Sequence, residues 1–245
     1  MIYNEAAHSP QASPLPYFSP DETTAILLSL KIALIATLAS LPVAIAVAWL
    51  LARRQFPGKA LLNVLVHLPL VMPPVVTGYL LLIGFGRRGP FGEALEACCG
   101  VVLSFRWTGA ALAAAIMSFP LTVRAIRLSL EAVDRKLEDA AATLGAAPAF
   151  VFLTVTLPLA LPGVLAGAVI GFAKALGEFG ATITFVSNIP GETQTIASAI
   201  YSSTQTPGAD ATTLRLTLVA IVIAAGALAL SEYFARKVVN GAGRA

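Results

Sequence analysis

The chain has 245 residues, of which 57% are hydrophobic and 12% charged, with a formal charge of +3. An ordinary soluble domain carries roughly 25% charged residues, so this composition excludes a water-soluble globule and points to a chain embedded in lipid. The positive charge is spread along the chain rather than massed in one patch, which gives no support for nucleic-acid binding.

Residues 1–22 contain Pro10, Pro14, Pro16 and Pro20 among acidic and small polar residues, a pattern that predicts an irregular extracytoplasmic tail. It has neither the basic segment nor the cleavage pattern of a signal peptide, so the first apolar run is expected to remain as an anchor. Five runs reach the roughly 20 residues that a spanning helix needs: about 24–51, 60–85, 107–130, 159–184 and 212–234. The expected fold class is therefore an all-α membrane protein with five transmembrane helices over 23–236 and a short cytoplasmic tail at 237–245.

Basic residues set the expected orientation. With the N-terminus outside, the inner side holds Arg53, Arg54, Lys59, Arg124, Arg127, Arg135, Lys136, Arg236, Lys237 and Arg244, and the outer side only Arg87, Arg88, Arg106 and Arg215. Because positive charge accumulates on the cytoplasmic side of spans, this predicts N-out, C-in, with residues 131–158 in the cytoplasm.

Within the spans, Pro69, Pro73 and Pro74 remove backbone donors from the second run and predict a kinked or broken helix, whereas Pro42 and Pro120 disturb the first and third more mildly. Pro73 and Pro74 are candidates for lining or gating a pathway, although prolines also serve as plain architecture in membrane helices. His67 has no second ligand at metal spacing and is read as packed or hydrogen-bonded. Cys98 and Cys99 are adjacent in an outer loop, a poor geometry for a disulfide.

The polar interruption at 131–158 is too structured for a plain connection. Asp134 can cap a helix whose Leu137, Ala140, Ala141 and Leu144 share one face, and Gly145 is placed to end it in a left-handed conformation. Pro148 suits the first turn of a second short helix carrying Phe150, Phe152 and Val155. The pair reads as a compact knob for a protein cleft, with an interfacial segment lying on lipid headgroups as the alternative. Farther on, Lys174 and Glu178 stand four apart on one face inside the fourth run and could pair, the alternative being that Glu178 lies near the outer interface while Lys174 snorkels or pairs structurally. Outside, Ile196, Ala199 and Ile200 predict a short helix ending near Pro207 and Gly208.

These motifs carry a resemblance. Glu138 to Gly145 (EDAAATLG), with Phe152 and Leu157-Pro158 downstream, resembles the cytoplasmic "EAA" loop of ABC-importer permeases, with Asp139 standing where alanine is usual. Together with Phe56–Leu62 (FPGKALL), His67–Tyr79 (HLPLVMPPVVTGY), Met117–Arg127 (MSFPLTVRAIR) and Leu176–Glu192 (LGEFGATITFVSNIPGE), the chain is similar over about 24–236 to permeases of molybdate ABC importers. The resemblance implies a type I importer permease fold, here with five spans rather than the six of some relatives. It implies ATPase coupling through Glu138, Ala140, Ala141, Leu144, Gly145 and Phe152. Pathway or gate candidates are Pro73, Pro74, Lys174, Gly177, Glu178, Phe179 and Gly180, with Glu178 placing helices or gating rather than binding a dianion that it would repel.

No glycine-rich phosphate loop and no nucleophile with a base are present, so ATP and Mg are expected in a partner ATPase and no cofactor in this chain. The implied partners are a second copy of the chain, two cytoplasmic ATPase subunits, an extracytoplasmic molybdate-binding protein and membrane lipid, in the bacterial inner membrane. A permease for tungstate or sulfate shares every one of these features. A secondary transporter or structural membrane protein leaves the knob unexplained.

Overall fold

The computed structural model describes residues 18–242, in which eleven α-helices are joined by short turns and no strand occurs among the described residues. Helix α1 spans Pro20–Arg53. It starts four residues before the expected span because Ser19-Pro20-Asp21-Glu22 is a capping box. Glu22 N–H donates to Ser19 Oγ at 3.1 Å and Ser19 N–H to Glu22 Oε2 at 2.7 Å. The end of the expected tail is thus helical, and residues 1–17 lie outside the described residues.

The second apolar run is two helices, α2 (Lys59–Val71) and α3 (Pro74–Phe85), whose axes are bent by 113°. Pro73 sits at the N-cap of α3 and Pro74 in its first turn, where missing donors are harmless, so the two prolines end one helix and start the next. A short helix between the second and third apolar runs, α4 (Pro90–Cys99), was not expected from periodicity; its Phe91 stacks on Phe85 with ring centroids 5.1 Å apart. Helix α5 covers Trp107–Ala132, close to the expected third span.

Next come α6 (Arg135–Thr143) and α7 (Pro148–Val151), then a π turn at Phe152–Thr156 that leads directly into α8 (Leu157–Leu176). The expected second short helix is therefore the foot of the next span, a 29-residue rod from Pro148 to Leu176. The π turn has a local cause. Pro158 cannot donate to the preceding turn and crowds its carbonyls, and Leu157 N–H reaches five residues back to Phe152 O instead. The fourth span was expected to run to 184, but it stops at Gly177; α9 (Gly180–Val186) is a separate helix. Helices α10 (Ile196–Thr204) and α11 (Asp210–Ala242) complete the described chain.

Four helical stretches are long and apolar enough to cross a membrane, Pro20–Arg53, Trp107–Ala132, Pro148–Leu176 and Asp210–Leu230, and the bent α2–α3 pair makes a fifth if it counts as one span. The tightest packing is between α5 and α8. Gly163, Gly167 and Gly171 recur every fourth residue on α8, and a Cβ on them would lie 2.1 Å from Ser129 Cβ, 3.0 Å from Ile126 Cγ1 and 2.4 Å from Thr122 Oγ1. Small residues on one stripe let the two backbones approach and give dispersion contacts that lipid tails cannot match. At one end of the bundle Glu22 pairs with Arg215, and at the other Arg53 meets Val133 and Glu138. So α1, α5 and α11 start at one end, and the α7–α8 rod starts at the other.

Candidate functional site

The loop between α5 and α8 has the form its residues predict at its start and corner. The Asp134 carboxylate accepts from Lys136 N–H at 3.0 Å, capping α6, and Gly145 ends it with φ +83°. No residue of α6 is buried, and Leu137 and Leu144 are 49% and 89% exposed. Ala140 is exposed beside them and Ala141 is half-buried. An apolar helical face is thus presented to whatever lies beyond the bundle.

Glu138 points the other way. Arg53 Nη2, at the end of α1, donates to Glu138 Oε1 across 3.0 Å, with the side chains 8% and 20% exposed. Thr156 Oγ1, in the π turn, donates to the same oxygen at 2.7 Å, and Arg53 Nη2 also reaches Val133 O at 3.0 Å. One carboxylate oxygen therefore ties α6 to the end of α1 and to the foot of α8. Phe152 is half-buried and packs edge-on against Trp49 of α1, ring centroids 5.8 Å apart, rather than standing on the exposed face.

The pathway candidates gather at the opposite end of α8. Lys174 Nζ donates to Glu178 Oε2 at 2.6 Å, the pairing that their spacing predicts, with the glutamate side chain 1% exposed. Glu178 Oε1 accepts from Ala181 N–H at 3.0 Å, in the first turn of α9. The carboxylate thus bridges the break at Gly177 from the last turn of α8 to the first of α9. Phe179 packs on Tyr201 of α10 with centroids 4.9 Å apart. Gly180 lies against the broken span: a Cβ there would be 2.7 Å from Pro74 Cβ, and one on Gly78 would be 2.5 Å from Ala181 O. Pro74 and Gly180, distant in sequence, meet where α3 crosses α9, while Pro73 caps α3 beside them. His67 is hydrogen-bonded, its Nδ1 lying 2.8 Å from Asn63 O.

The family model described as "Binding-protein-dependent transport system inner membrane component" matches residues 26–240. The chain belongs to this family. It is a multi-pass inner-membrane permease, and an Escherichia coli K12 relative, the molybdenum transport system permease protein ModB, is 59% identical over 223 residues, covering 91% of this chain and 97% of that one. A sulfate transport system permease protein, CysW, from Synechococcus elongatus is 41% identical over 152 residues, 62% of this chain and 53% of its own. Among solved structures, a bacterial alginate ABC transporter in complex with an alginate-pentasaccharide-bound periplasmic protein has a chain of the same fold. It superposes with a TM-score of 0.70 at 15% identity, covering 90% of this permease and 80% of that chain.

Two residues of the permease that motif reading passed over are Arg53 and Thr156, which hold Glu138. Arg53 entered the sequence reading only as an inner-side charge. A cation just before the end of a span, with an acidic residue in the loop helix that follows the third apolar run, was the available signal.

Proposed function

We propose that this chain is the membrane subunit of an ATP-driven molybdate importer, oriented N-out and C-in. Two copies form the translocation pathway, two cytoplasmic ATPase subunits dock on the 131–158 loops, and an extracytoplasmic binding protein delivers the anion. The observation that carries this reading is the 59% identity to a molybdenum transport permease across nearly the whole of both chains. ATP and Mg belong to the ATPase, and this chain performs no hydrolysis and binds no cofactor. Identical permease copies would offer identical knobs to identical ATPases, which favours twofold symmetry.

The geometry supports a specific mechanical role for each cluster. Leu137, Ala140, Ala141 and Leu144 form the docking face of α6, which Gly145 terminates. Glu138 is a positioning residue: through Arg53 and Thr156 it transmits displacement of α6 to α1 and α8, and Phe152 braces that joint on Trp49. At the far end of the rod, Lys174 and Glu178 pass movement of α8 to α9, which bears on α3 at the Pro74–Gly180 contact. The breaks at Pro73-Pro74 and Gly177-Phe179 are the hinges of the gate.

The similarity to a sulfate permease makes sulfate the second reading. Reconstitution with the cognate ATPase and binding protein decides between them: uptake of labelled molybdate, unaffected by excess sulfate, is expected, and uptake of sulfate without molybdate overturns the assignment. A tag appended after residue 245 is expected to be protected in sealed cells, and labelling from outside would reverse the orientation.

A further inference from the structure

Helix α5 is the most enclosed of the four long spanning helices, with 61% of its most apolar stretch buried, yet it carries an exposed arginine. In the outer half of α5, Ala110 and Met117 are 0% and 3% exposed, in one cluster with Leu81 of α3 and Ala181, Phe185 and Val186 of α9. Arg124 follows Met117 by seven residues, about two helical turns, and so continues the same face toward the inner end. There the covering ends: Arg124 is exposed and Leu128, one turn on, is 60% exposed. The neighbouring Arg127 is satisfied, its Nε donating to Glu131 at 2.7 Å and its Nη1 to Asn63 at 3.0 Å. Arg124 makes no ion pair or hydrogen bond among the described residues.

An arginine cannot shed its charge, and a guanidinium without a partner inside a span is stable only against water or an anion. Its planar fork of donors matches two oxygens of a tetrahedral oxyanion. We propose that Arg124 is an oxyanion-binding site on the inner half of the pathway, beneath the α3–α9 layer, paired with the partner copy's equivalent across the dimer axis. This rests on the importer reading and adds to it a counter-charge for a dianion, placed where the anion has passed the gate. A site of one guanidinium per copy holds the anion weakly enough to release it to the cytoplasm. The phosphate of an inner-leaflet lipid has the same chemistry, and the test separates the two sources.

The complete importer, with ATPase and binding protein, is reconstituted in liposomes. At saturating loaded binding protein, R124Q is expected to slow molybdate uptake by about tenfold, the loss of roughly one charge-assisted hydrogen bond, and R124K to recover most of the rate. ATPase retention in a pull-down should be unchanged. In a background carrying C98A and C99A, the thiol introduced by R124C should react with a charged, membrane-impermeant methanethiosulfonate from the ATPase side, and molybdate should slow that reaction. The site is overturned if R124Q transports at the unsubstituted rate. It is equally overturned if the introduced thiol reacts only with a lipid-soluble maleimide, indifferent to molybdate, while transport tracks the anionic phospholipid content. If the unsubstituted importer moves no oxyanion, the importer reading itself fails, and the site with it.

Discussion

Arg53 and Glu138, 85 positions apart in the chain, close an ion pair of 3.0 Å that joins the end of the first span to the loop helix α6. Since Thr156 donates to the same carboxylate oxygen, removing the glutamate side chain breaks both contacts and leaves the charge of Arg53, whose side chain is 8% exposed, with only the Val133 carbonyl against it. E138A is expected to cost about 2–3 kcal/mol, below the usual figure for a broken buried pair because the glutamate is partly solvated. E138Q, which keeps an acceptor for Thr156, should cost about half as much. Thermal unfolding of the purified permease measures both; equal stability of E138A and the unsubstituted protein would refute the anchoring role.

Leu144 separates the proposed docking role from folding, because it is 89% exposed in the permease alone. L144D should change permease stability by less than about 0.5 kcal/mol, as surface substitutions do, while abolishing recovery of the ATPase in a pull-down. Undiminished recovery would move the docking face elsewhere.

Local signals were legible where the cause lies within a few residues. Asp134, Gly145 and Pro148 mark the ends of α6 and α7, and Pro73-Pro74 marks the broken second span. The pairing of Lys174 with Glu178 needs only helical spacing. Where a feature depends on a distant partner, the sequence was mute. Glu138 sits on the loop helix like its apolar neighbours, and only the position of Arg53 turns it inward. The extension of α7 into α8 was not legible, because the fourth apolar run begins only at about 159 and the π turn that carries the helix through Pro158 leaves no mark in composition. Likewise the fourth span was drawn through Gly177, since composition stays apolar across a break that the backbone makes. The glycine stripe at Gly163, Gly167 and Gly171 was readable from its four-residue period, but its target on α5 was not.

Cys98 and Cys99 give a prediction in pH. Their sulfurs are 2.8 Å apart on exposed α4, and a hydrogen bond in which the Cys99 thiol donates to Cys98, together with the negative charge of Cys98 when ionised, raises the Cys99 thiol above its ordinary value. A raised pKa means less thiolate at neutral pH, and thiolate is the species that alkylates. Cys99 should therefore react slowly with iodoacetamide until the pH passes its raised value. In C98A the rise in rate should come at lower pH. Superimposable pH–rate curves for Cys99 in the two proteins would contradict the coupling.

The bridge from Lys174 to Glu178 predicts an asymmetry between its two ends. K174M leaves a carboxylate 1% exposed with only the Ala181 N–H against it, and should cost about 3–5 kcal/mol, as buried charges stripped of their partner do. E178Q leaves an ammonium whose side chain is 30% exposed and can turn toward water, and the amide oxygen can still accept from Ala181, so its cost should be about 1–2 kcal/mol. The double variant K174M/E178Q holds no stranded charge and should be more stable than K174M alone. If the pair only filled space, the two single costs would add. Recovery in the double variant instead identifies the charge interaction as what holds α8 to α9, and a transport rate that stays low despite that recovery would show that the bridge also carries motion to the gate.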